Sequence, residues 1–217
     1  MEEVIVIGID FGTTYSGVAW AYSLQPENIE VVTSWESELN HCSDLEKTPT
    51  QLAYGKKGEP VKWGYTVPSN AEAVQWFKLL LLNKKDVDPD VYWCSQFCQA
   101  REMLDDSDEN AVQMVASFLK PLWFHAIKSI KEELGEELLL RCQFHVIMTL
   151  PAIWPQYAQQ RMEEAAKIAG ILTKRSCGST VLRFISEPEA AALATIKDLS
   201  KRSTIEVRML DFLKTLS

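Results

Sequence analysis

The residue types best suited to chemistry stand near the start of the chain, in Gly8-Ile9-Asp10-Phe11-Gly12-Thr13-Thr14-Tyr15-Ser16-Gly17. A glycine in a tight bend lets successive backbone N–H groups approach an anion closely. Thr13 and Thr14 add hydroxyl donors beside it. Asp10, at the end of an apolar run, is placed to hold the waters of a Mg²⁺ ion, which usually keeps several of them. A plain hairpin with an Asp-x-Gly turn satisfies the same spacing, so the motif alone leaves both readings open. Other candidate clusters are weaker. Asp105-Asp106-Ser107-Asp108-Glu109 precedes a helical pattern and reads as a solvated cap rather than a metal site. The five cysteines form no CxxC pair. His41, Cys42, Cys94 and Cys98 match no standard zinc spacing.

The elements that must position this bend are legible from periodicity. Val4–Ile9 is a β-branched run of strand length, and Tyr15–Tyr22 supplies a second strand after the bend. Ile29–Trp35 reads as a third strand after the turn Gln25-Pro26-Glu27-Asn28, giving an antiparallel meander. Between 36 and 69 the chain is polar and dotted with Pro and Gly, with short strands expected at Thr50–Tyr54 and Val61–Trp63. Asn70 is placed to cap a helix over Ala71–Leu82, and Asp86–Asp90 reads as a loop. Val112, Val115, Ala116, Leu119, Trp123, Ala126, Ile127, Ile130 and Leu134 recur at helical spacing; Gly135 ends that helix and Pro121 interrupts it. From Phe144 the order becomes strand, helix, strand, helix, strand. The segments are Phe144–Leu150, a helix opened by Pro155 and stopped by Gly170, Val181–Ile185, Glu189–Leu199 and Ile205–Leu210. Antiparallel strands followed by alternating elements predict an α/β fold of the ribonuclease-H-like type with a mixed five-stranded sheet and an inserted small subdomain.

Composition narrows the function classes. The chain has 217 residues, 47% of them hydrophobic and 24% charged, which is ordinary for a globular domain with a sizeable core. A formal net charge of −8 without a compensating Lys/Arg cluster argues against nucleic acid or an anionic membrane as partner. The stretch after Met1 lacks the basic and extended apolar regions of a signal peptide, and Leu79–Leu82 is too short to span a bilayer. Together with unpaired cysteines, this predicts reduced thiols and a cytoplasmic location.

Four stretches carry a resemblance to a known family, in the family's order. Gly8–Gly17 resembles the first phosphate loop of the Hsp70/actin/sugar-kinase superfamily in its Hsp70 form. Trp76-Phe77-Lys78-Leu79-Leu80 resembles the helix that delivers that family's active-site lysine. Val146–Ala152 is similar to its Thr-Val-Pro-Ala strand end, and Ile185–Ala192 to its first connecting motif, Asn-Glu-Pro-x-Ala-Ala-Ala. The surroundings of Trp20, Trp35, Trp63 and Trp76 look most like divergent fungal Hsp70-like proteins.

The resemblance implies ATP and Mg²⁺ as ligands and a role for each matched residue. Gly12, Thr13, Thr14 and Tyr15 would form the phosphate contacts, and Asp10 would order the metal's water shell. Lys78 would reach the γ-phosphate, Glu187 would sit near the metal-bound waters, and Pro151 would couple nucleotide state to lobe movement. Each has a plainer alternative: Lys78 as an exposed helix lysine, Glu187 as a favourable helix N-terminus, Pro151 as a strand end.

The sequence departs from the family after Val207–Asp211. There Phe212-Leu213-Lys214 replaces the glycines of the second phosphate loop, so Asp211 is a weak metal candidate or a solvent-facing strand end. Residues 1–204 are then expected to form lobe I, with insertions near 38–70 and 83–120, and 205–217 a truncated start of lobe II. An ATP-binding fragment of an Hsp70-like chaperone ATPase is the leading expectation, weak or inactive by itself. In a full-length form co-chaperones or unfolded polypeptide would be partners. A non-catalytic interaction module made from the same lobe and a carbohydrate kinase lobe are the alternatives.

Overall fold

A computed structural model describes residues 3–37, 44–55 and 59–200. Two strands, β1 (Val4–Phe11) and β2 (Tyr15–Tyr22), pair antiparallel around the Gly12–Thr14 bend. The strand β1 runs two residues beyond the expected Val4–Ile9, because Asp10 and Phe11 still pair with Gly17 and Ser16. The third strand β3 keeps only Ile29–Val31 of the expected Ile29–Trp35. Past Val32, whose N–H still donates to the Val18 carbonyl at 2.9 Å, the chain leaves the sheet, and Ser34 adopts φ 56°.

The outer edge of β2 has room for a second partner, the short strand β4 (Lys47–Pro49), which pairs with Tyr15–Gly17 while β3 pairs with Ala19–Ala21. On the other side, β1 is parallel to β8 (Gln143–Leu150), and β8 is parallel to β9 (Val181–Ser186). The principal path is thus the mixed five-stranded order β3-β2-β1-β8-β9, with β4 added beside β2. A separate three-stranded antiparallel sheet holds β5 (Gln51–Ala53), β6 (Lys62–Trp63) and β7 (Val74–Gln75).

Alternation along β1 and β8 sends Ile5, Ile7, Ile9, Phe11, Phe144, Val146, Met148 and Leu150 to one buried face. That face receives the long helix α3 (Ala111–Leu134), whose Phe118 stacks on Phe11 with ring centroids 5.7 Å apart and whose Trp123 meets Phe144 edge-on at 5.8 Å. Asn110 caps α3 in a reciprocal box with Gln113, and Gly135 closes it with φ 83°. Pro121 lies inside this helix without ending it. Beside α3 packs α5 (Gln156–Ile168), burying Ala158, Met162, Ala165 and Ala166. Pro155 stands at its N-cap, so the helix begins one residue later than expected, and Gly170 follows its end at φ 87°.

The expected helix over 71–82 is not formed. Val74 pairs with Leu52 in the small sheet, Trp76 takes a left-handed backbone (φ 62°), and only then does a 3₁₀ turn run from Phe77 to Leu81. Strand pairing overrides the local helical composition. The supposed loop at 86–90 holds the end of another 3₁₀ turn (Lys84–Asp86) and the start of the short helix α1 (Pro89–Tyr92). The helices α2 (Ser95–Asp106) and α4 (Glu136–Arg141) had no sequence expectation. The helix α6 runs from Glu187 to Ser200, directly out of β9. Ile205–Leu210, Asp211, His41 and Cys42 lie outside the described residues. Among the described residues no helix is long and apolar enough to cross a membrane.

Candidate functional site

The C-terminal ends of β1 and β8 and the start of α6 meet at one cleft of about 750 Å³. Asp10, Gly12, Thr13, Thr14, Tyr15, Lys47, Thr149, Pro151 and Glu187 line it, with Ala190 and Ala191 on the α6 side. The bend is open to this cleft: Thr14 and Tyr15 are exposed and Thr13 partly so. Its tightness requires glycine, because a Cβ on Gly12 would run into the carbonyl oxygen of Tyr15. The flank of the bend is pinned from β4–β5, where the Thr50 N–H donates to the Thr14 carbonyl at 2.8 Å. The Ser16 and Thr50 hydroxyls also share a buried hydrogen bond of 2.7 Å.

Parallel pairing of β1 with β8 sets Asp10 beside Thr149, since Ile9 is opposite Met148. The Thr149 hydroxyl donates to Asp10 Oδ1 at 2.9 Å. The second oxygen, Oδ2, accepts from Lys47 Nζ at 2.6 Å.

Lys78 does not line the cleft; it is buried and joined to the cleft residue Glu187. Its ammonium is 1% exposed, yet Nζ lies 3.0 Å from Glu187 Oε1, a carboxylate that is 42% exposed. The remaining surroundings are ring faces, with Phe11 at 5.6 Å and Trp154 at 5.3 Å from Nζ. Burial lowers the Lys78 pKa from its ordinary value, and the charges of Glu187 and Asp10 oppose that shift. The 3₁₀ turn carrying Lys78 is fixed through Phe77, fully buried against Phe11 and Phe118. Arg161 of α5 clamps its end, donating to the Leu81 carbonyl at 2.7 Å and to Asn83 Oδ1 at 3.1 Å. A short turn held at both ends presents a cation more rigidly than an exposed helix face.

The sequence-derived residues Asp10, Gly12, Thr13, Thr14, Tyr15, Pro151 and Glu187 therefore line one cleft, brought there by β1, the β1–β2 bend, the end of β8 and the start of α6, and Lys78 of the 77–81 turn is buried behind it in contact with Glu187. Lys47, Thr149 and Trp154 had no assigned role from sequence. Thr149 is recoverable from alternation, because it shares the non-core face of the sheet with Asp10. Lys47 lies in a three-residue strand within a polar stretch and leaves no such signal.

No protein-family model matches the chain. Curated proteins do. The chain is 28% identical to human heat shock 70 kDa protein 12B over 200 residues, 87% of this chain and 27% of that protein. It is also 28% identical to mouse heat shock 70 kDa protein 12A, over 88% of this chain and 28% of that protein. The chaperone protein DnaK of Thermosipho africanus is 30% identical over 194 residues, 89% of this chain and 26% of DnaK. These curated homologues are Hsp70 family members that match most of this chain, which supports the Hsp70-like ATPase superfamily. It spans about a quarter of the length of these Hsp70 relatives. Within an Hsp70-like framework the buried tryptophans Trp20, Trp35 and Trp63 are packing residues of the sheets, and none lines the cleft.

The donor set can be judged against a hydrated divalent cation. Among the described residues no group of three or more His, Cys, Asp or Glu converges on a point, so direct coordination by a protein cage is not offered. Mg²⁺ binds through retained waters and one or two carboxylates, and Asp10 and Glu187 on a shared cleft suit that mode. Gly12 with the two threonine hydroxyls likewise suits a phosphate chain.

Proposed function

We propose that the cleft binds the phosphate tail of ATP and that the chain is a nucleotide-binding part of an Hsp70-like chaperone ATPase. The observation that carries this reading is the convergence of Asp10, the Gly12–Thr14 bend and Glu187 from three separate elements onto one opening, with the buried Lys78 paired to Glu187 behind it. A plain hairpin turn would not need a buried lysine paired to a carboxylate of the same cleft.

Phosphoryl transfer asks a protein mainly for positioning and neutralisation of charge. Backbone amides of the bend and the Thr13 and Thr14 hydroxyls hold the phosphates. Asp10, oriented by the Thr149 hydroxyl, and Glu187 would hold a hydrated Mg²⁺, which would supply charge neutralisation on the transferring group. Lys78 is held by Glu187 and by two ring faces in a nearly dry pocket, so its under-solvated charge would act at short range on a γ-phosphate bound beside Glu187. Pro151, at the cleft edge where β8 ends, is placed to feel that occupancy.

The lining is mostly carboxylates, hydroxyls, a lysine and small side chains, which favours the phosphate tail over the base. The 217-residue polypeptide is therefore expected to bind Mg-ATP weakly, with Kd on the order of 0.1–1 mM, and to show little turnover. Isothermal titration calorimetry at high protein concentration tests this, with Asp10→Asn and Thr13→Val as controls. No binding at millimolar ATP, or binding that both variants leave unchanged, refutes the reading.

A second reading rests on α6, where Leu193 and Ile196 are 56% and 51% exposed. An apolar stripe on this helix suits a non-catalytic contact with another protein surface. Size-exclusion chromatography with light scattering separates the two: a concentration-independent monomer argues against it.

A further inference from the structure

We propose that Lys47 is a built-in counter-ion of the cleft, pairing with Asp10 when no metal is bound and turning to the nucleotide's phosphates when a hydrated divalent cation takes its place. The proposal rests on the nucleotide reading above and adds a residue that the reading did not supply.

The geometry is that of one row across three strands. Asp10 on β1 is opposite Gly17 on β2, and Gly17 is opposite Lys47 on β4. Cross-strand neighbours lie about 4.8 Å apart, so Asp10 and Lys47 are separated by roughly twice that at the backbone. The lysine bridges this gap by lying over Gly17. A side chain there would obstruct it, because a Cβ on Gly17 would stand 3.1 Å from Lys47 Cγ and 3.1 Å from the Glu46 carbonyl oxygen. Glycine in the middle of a strand is a poor choice for packing, and here it opens the path along which the lysine stem crosses.

At the end of that path Nζ meets Asp10 Oδ2 at 2.6 Å, the oxygen that Thr149 leaves free. The water of a bound cation would draw on the same carboxylate, so ammonium and hydrated metal compete for its charge. Both partners are open to solvent, at 51% and 42%, so the pair is readily broken. Lys47 also lines the same cleft as Thr13 and Thr14, so a displaced ammonium stays within the phosphate end of the site. The backbone of Lys47 does not need to move: β4 is anchored by its pairing with β2, and the Tyr65 hydroxyl donates to the Lys47 carbonyl at 3.3 Å.

Calorimetric titration of the 217-residue chain with ATP, in EDTA and in excess Mg²⁺, reads this directly in wild type, Lys47→Met, Lys47→Arg and Gly17→Ala. Lys47→Met is expected to weaken metal-free ATP about fivefold, because Asp10 then faces the phosphates without its counter-ion, and to weaken Mg-ATP less, because removing the competitor at Asp10 offsets the lost phosphate contact. Lys47→Arg should retain the metal-free affinity within about twofold. Gly17→Ala should move towards Lys47→Met although the lysine is present. Equal thermal melting of wild type and Lys47→Met shows that the comparison concerns the site and not folding. Wild-type binding with a Lys47→Met protein identical in both buffers overturns the proposal and leaves the nucleotide reading intact. Equal weakening in both buffers reduces Lys47 to a phosphate contact and overturns the exchange at Asp10. No wild-type binding in either buffer overturns the nucleotide reading and the proposal with it.

Discussion

Replacing Lys78 by methionine should stabilise the protein while disabling the site. The ammonium is 1% exposed and faces two aromatic rings and a single carboxylate oxygen at 3.0 Å. Withdrawing such a charge from water costs several kcal/mol, and one ion pair with a partner that is itself 42% exposed returns only part of it. Methionine keeps much of the volume, packs against Phe11 and Trp154, and leaves Glu187 free to be solvated. Exchanges of buried ion pairs for apolar side chains stabilise by about 1–4 kcal/mol where they stabilise at all. With one partner half in solvent, the lower end applies, about 1–2 kcal/mol, or a rise in Tm of roughly 2–8 °C for a domain of this size. The pH dependence has a definite sign. Because burial lowers the folded-state pKa of Lys78 below its ordinary value, the unfolded chain holds this proton more tightly between the two pKa values. Wild type therefore gains stability as pH rises through that window, Lys78→Met does not, and the difference between them shrinks towards pH 10. Differential scanning calorimetry at pH 7 and pH 10 measures both quantities. A Tm several degrees below wild type at pH 7, or a gap that widens with pH, refutes the idea that this lysine is kept for function at the expense of stability.

The other expectations concern the bend, its orienting hydroxyl and the exposed stripe. Gly12→Ala should cost at least about 1 kcal/mol in urea unfolding and remove ATP binding, since its Cβ collides with the Tyr15 carbonyl and forces the bend open. Gly64→Ala, away from the cleft, should cost about 1–2 kcal/mol, because φ is +52° and a Cβ would meet the Thr48 hydroxyl; chemical denaturation with ATP titration should show stability lost at unchanged affinity. Thr149→Val removes the donor to Asp10 Oδ1 and should lower Mg-ATP affinity by about fivefold at nearly unchanged Tm, measured by calorimetry. Leu193→Glu combined with Ile196→Glu should abolish any concentration-dependent association seen by light scattering and leave ATP binding alone.

What the sequence made legible follows the range of the interactions involved. The β1–β2 hairpin, β8, α3 and α5 each announce themselves within one segment, because their buried faces repeat every second residue or every third to fourth. Residues 71–82 mislead for the opposite reason. Their composition favours a helix, but Val74 is claimed by Leu52 across the small sheet, and the left-handed backbone at Trp76 then starts a 3₁₀ turn. The lysine that the family resemblance marked is expected on a helix and stands on a 3₁₀ turn instead. Its burial is invisible from sequence, since it depends on Phe11, Trp154 and Glu187 arriving from three other elements.

Lys47 marks the limit of such reading. Its partner is 37 residues away and reached across an intervening strand, so no local period encodes the contact. The only trace is an oddity at a third position, a glycine in the middle of β2 where a β-branched residue would pack better. Gly17 belongs to the same decapeptide as Gly12, yet the two glycines serve different needs: Gly12 permits the bend, and Gly17 clears the surface over which a cation crosses to Asp10. Residues read as one motif in sequence thus serve two needs in space, one shaping the bend and one clearing the path of Lys47 to Asp10. The second becomes readable only once β4 is known to pair with β2.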